Sequence, residues 1–126
     1  MQNQKSALGL DGNVTALIGY IVGILALVLI FIEKDNRFVR FHALQSVLWA
    51  AAYIVVIIVL SILGVIAAIL GQASGALAGI LGILVTLLWL VAVFGFLGGL
   101  IYAAIKAFGG NQAKLPVVGS LAEKWA

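Results

Sequence analysis

The sequence has no cysteine, one histidine, one proline and four acidic residues in 126. Without cysteine there is no disulfide framework, no thiolate metal site and no cysteine nucleophile. A single histidine excludes a multi-histidine metal centre within one chain. Charge is equally scarce, at 9% of residues against about 25% in a soluble domain. The four carboxylates, Asp11, Glu33, Asp35 and Glu123, all fall outside the long apolar runs. Proton relays, voltage sensors and ion-coupled carriers usually place an ionisable group in mid-membrane, and this chain has none to place there. Its net charge of +3 is too weak to argue for nucleic acid and suits a membrane surface better.

What is abundant is apolar surface. Hydrophobic residues make up 65% of the chain, and the mean hydropathy is +1.29. A small domain buries the smallest fraction of its surface, so a chain of this length cannot hide that much apolar area from water. A soluble single-domain enzyme is excluded, as is a disordered chain, which would be polar and charge-rich. The class is integral membrane protein.

Residues 43–105 carry no charged side chain. A helix needs about 20 apolar residues to cross the hydrocarbon core, so this stretch fits two spans, broken at Gly71-Gln72-Ala73-Ser74-Gly75, where glycine and serine mark a turn. An earlier apolar run ends at Glu33-Lys34-Asp35-Asn36-Arg37 and predicts a further span, with Asp11 or Asn13 as its N-cap. It is too long for the apolar region of a signal peptide, and no small-residue cleavage site follows it. The expected fold is all-α: a single membrane domain of three transmembrane helices, at 14–32, 43–70 and 77–105, followed by a cytoplasmic tail at 106–126. Gly95, Gly98 and Gly99 make a kink in the third helix an expectation. In the tail, Val117, Val118, Leu121, Ala122 and Trp125 form one stripe at helical spacing, which predicts a short amphipathic helix lying in the interface.

Three spans put residues 33–42 and the tail on one side, with Lys34, Arg37, Arg40, Lys106, Lys114 and Lys124; the other side holds Lys5. Six against one gives an inner-membrane protein with its N-terminus outside and its C-terminus in the cytoplasm. Lys34, Arg37, Arg40 and Lys106 are the candidate contacts for anionic lipid.

The second predicted helix carries the features nearest to chemistry. At 100° per residue, Phe38, His42, Gln45, Ser46, Trp49 and Tyr53 share one sector, a polar and aromatic strip that should face other helices or water rather than lipid. Tyr102, one turn before Lys106, is its candidate partner. The plain reading is structural, with His42, Gln45 and Ser46 bonding across helices. A site for a headgroup or peptide is the sharper one. A Ser46–His42 hydrolase lacks a carboxylate to orient His42 and a nameable oxyanion hole. No catalytic residue, cofactor or metal site is expected. Pairs of glycines four apart (Gly19/Gly23, Gly71/Gly75, Gly75/Gly79, Gly95/Gly99) allow close helix approach.

The stretch Leu10-Asp11-Gly12-Asn13, then Glu33 through Ser46 with its Phe38-Val39-Arg40-Phe41-His42-Ala43-Leu44-Gln45-Ser46 block, resembles a family of small prokaryotic multi-pass membrane proteins. That family is grouped with the chloroplast import component Tic-twenty and includes magnetosome membrane proteins. Lys114-Leu115-Pro116-Val117-Val118-Gly119 is similar to its closing motif. The resemblance covers nearly the whole chain and implies a bundle of three or four helices with no active site to carry over. The expected role is that of a non-enzymatic scaffold or accessory subunit. Its partners would be membrane lipids and a second copy or another membrane protein. The alternative is an oligomeric translocation or channel component, as the Tic-twenty group implies.

Overall fold

The computed structural model describes residues 4–126. Five helices follow one another: α1 (Gly12–Ile21), α2 (Gly23–Ile32), α3 (Arg37–Gly71), α4 (Gly75–Phe108) and α5 (Val118–Trp125). Among the described residues there is no strand, only one isolated bridge between Lys5 and Asp11, which the Lys5–Asp11 ion pair at 2.7 Å reinforces. The chain divides into two compact units. One is the described part of Met1–Ala51 together with Gly98–Ala126; the other is Ala52–Leu97.

The Ala52–Leu97 unit is an apolar helical hairpin from α3 and α4. It holds no charged residue, and Leu60 is its only buried one. The turn falls in the Gly71–Gly75 run. Ser74 Oγ accepts from the Leu77 amide at 3.1 Å, the N-cap bond that a helix start needs. Gly71 permits a close approach there, because a Cβ on it would lie 3.0 Å from both Cα and Cβ of Ala78. Tyr53 stacks on Phe96 with centroids 4.3 Å apart. Small residues including Gly64, Ala67, Gly71, Ala78 and Gly82 line a shallow groove of about 320 Å³.

The other unit holds most of the buried core and corrects the expectation of one continuous helix over 14–32. The helix breaks at Val22, whose backbone is extended (φ −111°, ψ 94°), and the chain folds back. Gly19 packs against α2: a Cβ on it would sit 3.8 Å from Leu29 Cδ1 and 3.9 Å from Ala26 Cβ. In an unbroken helix, residues seven apart are displaced by about 10 Å along the axis. Hydropathy had read two ten-residue helices as one, because both are apolar.

The open end of this α1–α2 hairpin is tied by hydrogen bonds. The Ala7 amide donates to Glu33 Oε2 at 2.6 Å, Asn36 Nδ2 donates to the Gln4 carbonyl at 2.9 Å, and Asn13 Nδ2 donates to the Phe108 carbonyl at 2.9 Å. The segment before α1, expected across the bilayer from residues 33–42, is thus bound to them. Asn13 closes the end of α4 instead of capping α1. Asp11 occupies the N-cap position of α1 without a side-chain cap bond, its carboxylate being taken by Lys5.

Asn36 caps α3: its Oδ1 accepts from the Val39 amide at 3.2 Å. The α4 helix is continuous through Gly95, Gly98 and Gly99. It ends in a Schellman motif, with Asn111 N–H on the Lys106 carbonyl, Gly110 N–H on the Ala107 carbonyl and Gly110 at φ 83°, the left-handed position that glycine takes without penalty. Gly99 serves packing: a Cβ on it would come within 2.5 Å of the Trp49 indole. The tail helix α5 docks on the protein, burying Val118, Gly119 and Ala122, with Ala122 against Phe41 and Leu44. Val117, Leu121 and Trp125 stay exposed.

Candidate functional site

Helical periodicity places His42, Gln45 and Ser46 on one face of α3, and all three are buried. What covers them is the α1–α2 hairpin on one side and the segment after α4 on the other. Gln45 is the hub. Its Oε1 accepts from the Leu115 amide at 2.8 Å. Its Nε2 donates to the Ala113 carbonyl at 3.0 Å and to the Tyr20 hydroxyl at 2.7 Å. Because a backbone N–H can only donate, the Leu115 contact fixes which amide atom is the oxygen.

The direction of every other bond follows. The Tyr20 oxygen already accepts from Gln45, so its own hydrogen goes to His42 Nδ1, 2.6 Å away. The Asn111 carbonyl can only accept, so His42 Nε2 donates to it at 3.0 Å. His42 is therefore in the Nε2–H form, held edge-on by Tyr20, Phe38 and Phe41 with centroids 4.6–5.4 Å apart. Ser46 Oγ donates to the Gly19 carbonyl at 3.0 Å. That carbonyl is in the last turn of α1, where helical partners run out.

Ser46 and His42 do not bond each other in this cluster. The Ser46 hydroxyl points to backbone, and both ring nitrogens of His42 are occupied. The buried carboxylate Glu33 accepts from the amides of Ala7 and Asn36. Among the described residues no buried side-chain nitrogen or oxygen lacks a partner, and no group of three or more His, Cys, Asp or Glu could hold a metal ion. The arrangement does one thing well: it locks the first hairpin and the tail onto α3 through directed bonds.

The remaining candidates lie elsewhere. Tyr53 is in the Ala52–Leu97 unit, on Phe96. Tyr102 is 48% exposed, and the Lys106 ammonium sits 5.7 Å from its ring centroid; it does not join the strip. Of the four candidate lipid contacts, Lys106 lies over Tyr102 and the two arginines bond backbone carbonyls. Arg40 Nη1 donates to the carbonyls of Ile30 at 2.6 Å and Glu33 at 3.2 Å, closing the C-terminal end of α2. Arg37 Nη2 donates to the Glu123 carbonyl at 3.3 Å beside α5. Lys34 is exposed.

Sequence reasoning missed Tyr20, and one signal pointed to it: a phenol hydroxyl within an apolar run needs a partner in lipid. It also missed the residues 111–115, whose contribution is mostly backbone and leaves no mark in side-chain chemistry.

Comparison with known proteins bears on this architecture. Residues 5–122 match the magnetosome magnetite crystal formation protein family. The chain belongs to that family. It is also 30% identical to a UPF0132 membrane protein of Methanocaldococcus jannaschii, over 97% of this chain and 94% of the relative. A UPF0132 membrane protein of Archaeoglobus fulgidus is 32% identical over 90% of this chain and 89% of its own length. A second Methanocaldococcus jannaschii protein is 28% identical over 94% and 73%. No solved structure matches. These relatives establish a small prokaryotic membrane protein family, and the matched span includes every residue of the Tyr20–His42–Gln45–Ser46 cluster.

Proposed function

We propose that this family member is a non-enzymatic scaffold or accessory subunit of the cell membrane, acting by association of its apolar helices and by contacts of its basic unit at the cytoplasmic face. The observation that carries the reading is the contrast between the two units. The Ala52–Leu97 hairpin leaves nearly its whole apolar surface open, with a groove of small residues along it. The other unit spends its polar side chains on its own backbone. Helices with small residues on one face associate through close packing in lipid, whereas a reaction site would keep a polar group aimed at an open cavity. The family description speaks of magnetite crystal formation, and a scaffold with no chemistry of its own is a role compatible with it.

The test is association. Particle mass in nanodiscs, and crosslinking from a single cysteine placed at Ala67 in native membrane, should reveal a second copy or one recurring membrane partner. Filling the groove with Gly82→Leu should abolish it. A particle that stays monomeric and yields no crosslink refutes the scaffold. Ion or peptide flux across proteoliposomes, with an oligomeric particle, would favour the translocation reading instead.

A further inference from the structure

The α1–α2 hairpin has the dimensions of one leaflet, not of a bilayer. Each arm has ten residues, or about 15 Å of helix, against a hydrocarbon core of about 30 Å. The arms fold back at Val22, with Gly19 against Ala26 and Leu29, so together they reach no deeper than one arm. The open end is closed by the Ala7–Glu33, Gln4–Asn36 and Asn13–Phe108 bonds. The segment before α1, the α2–α3 loop and the end of α4 therefore meet at one end of this unit.

We propose that α1–α2 is a hairpin inserted into the cytoplasmic leaflet alone, that its partner is the acyl chains and anionic headgroups of that leaflet, and that both chain termini lie in the cytoplasm. The outward face is made for acyl chains. No charged residue occurs in 12–32, and Ile21, Ile24, Leu27, Val28, Phe31 and Ile32 are exposed. The inward face carries the small or polar residues Thr15, Ala16, Gly19, Tyr20 and Ala26. Charge gives the leaflet. With Lys5 brought to the side of Lys34, Arg37, Arg40, Lys106, Lys114 and Lys124, all seven basic residues share one face of the membrane and none remains opposite, the distribution that the positive-inside rule favours. Arg40, bonded to the Ile30 and Glu33 carbonyls, closes the end of α2 that emerges at the headgroups.

The inference rests on the membrane reading above, and alkaline carbonate extraction checks that separately: a chain released from the membrane takes both readings down. The native chain has no cysteine, so single-cysteine variants are clean probes. Full-length Leu8→Cys, Ala73→Cys and Gln112→Cys are treated in intact cells with a membrane-impermeant thiol reagent, and again after lysis. The hairpin requires Ala73→Cys alone to react from outside, with Leu8→Cys and Gln112→Cys reacting only after lysis. Reaction of Leu8→Cys together with Ala73→Cys from outside means a true third span and overturns the hairpin. Reaction of Leu8→Cys and Gln112→Cys from outside, with Ala73→Cys protected, overturns the cytoplasmic leaflet. A nitroxide on Ile24→Cys checks the occupant. It should be relaxed by oxygen and shielded from a water-soluble nickel chelate. Nickel access means water covers that face, and dipolar broadening between labels means a second copy does; either result refutes lipid.

Discussion

Replacing Gln45 by leucine tests the lock most directly, because the two side chains are of similar size and the change is almost purely one of hydrogen bonding. Three partners lose a bond: the Leu115 amide, the Ala113 carbonyl and the Tyr20 oxygen. Polar contacts between helices in membranes average about 0.6 kcal/mol, so three would cost about 2 kcal/mol. The buried Leu115 amide is worse placed, since a stranded donor costs about 1–3 kcal/mol by itself. The expected loss is about 2–4 kcal/mol, and it falls on docking of the tail rather than on insertion of α3 and α4. Hydrogen exchange at residues 111–115 reads this directly: protection should fall by about 30- to 1,000-fold, at 1.4 kcal/mol per factor of ten. Gln45→Glu should fail in a distinguishable way. It retains an acceptor for Leu115 but sets a carboxylate oxygen against the Ala113 carbonyl. Exchange in Gln45→Leu that changes by less than tenfold would show that the tail is held by α5 packing alone and would refute the lock.

Gly99→Ala should lose up to about 2 kcal/mol on thermal unfolding, because overpacking against the Trp49 indole costs about 1–3 kcal/mol and the helix-propensity gain returns about 1. Combining it with Trp49→Leu should cost less than the sum of the two single changes; strict additivity would mean that the two do not meet. Val117 is 81% exposed at φ 65° and ψ −58°, the centre of a strained γ-turn closed by the Val118 N–H on the Pro116 carbonyl, so Val117→Gly should raise stability by about 1 kcal/mol, and a lowered melting temperature would contradict this. Arg40→Gln should loosen the end of α2 by about 1–2 kcal/mol, seen as faster exchange at residues 29–34, while retained anionic lipid, measured by native mass spectrometry, falls more in Lys34→Gln than in Arg40→Gln.

Hydropathy made the two long helices legible, because 63 consecutive residues without charge (43–105) state a preference for lipid that no tertiary contact overrides. The turn at Gly71–Gly75 was legible for a local reason, the serine cap and the glycine at a close approach. The periodicity of α3 grouped His42, Gln45 and Ser46 on one face, and the structure puts that face against other parts of the same unit. It also grouped Tyr53 with them and offered Tyr102 of α4 as a partner; the structure sets Tyr53 on Phe96 and leaves Tyr102 half exposed, since sharing a sector of one helix says nothing about which neighbour is present at that depth. The tail was read as a surface helix from the stripe Val117, Val118, Leu121, Ala122 and Trp125; Val117, Leu121 and Trp125 do stay exposed, but Val118 and Ala122 of that stripe, together with Gly119, are what docks. Gly119 in particular was unreadable. Its role is that a Cβ would press within 2.5 Å of Lys114 Cβ and 2.9 Å of Gln45 Oε1, a contact made across 74 positions.

The misreading of residues 14–32 has a different origin. Transfer to lipid is favourable for an apolar helix whether it continues or folds back, so hydropathy is blind to the break at Val22. The decision is made by contacts: a glycine at position 19 admits Ala26 and Leu29, Ser46 takes the carbonyl the break exposes, and Asn36 and Glu33 hold the open end. None of these has a helical period. Charge counting was the one sequence argument with a grip on the question, and it works through parity. Each true span reverses the side of everything before it, so the count for residues 1–11 depends wholly on whether 14–32 crosses. Three spans strand Lys5 as the single exception; two spans and a hairpin leave no exception. The six-against-one count was read as support for three spans; moving Lys5 to join the other six fits the rule at least as well, and the bonds from Ala7 and Gln4 to Glu33 and Asn36 favour that arrangement on independent grounds.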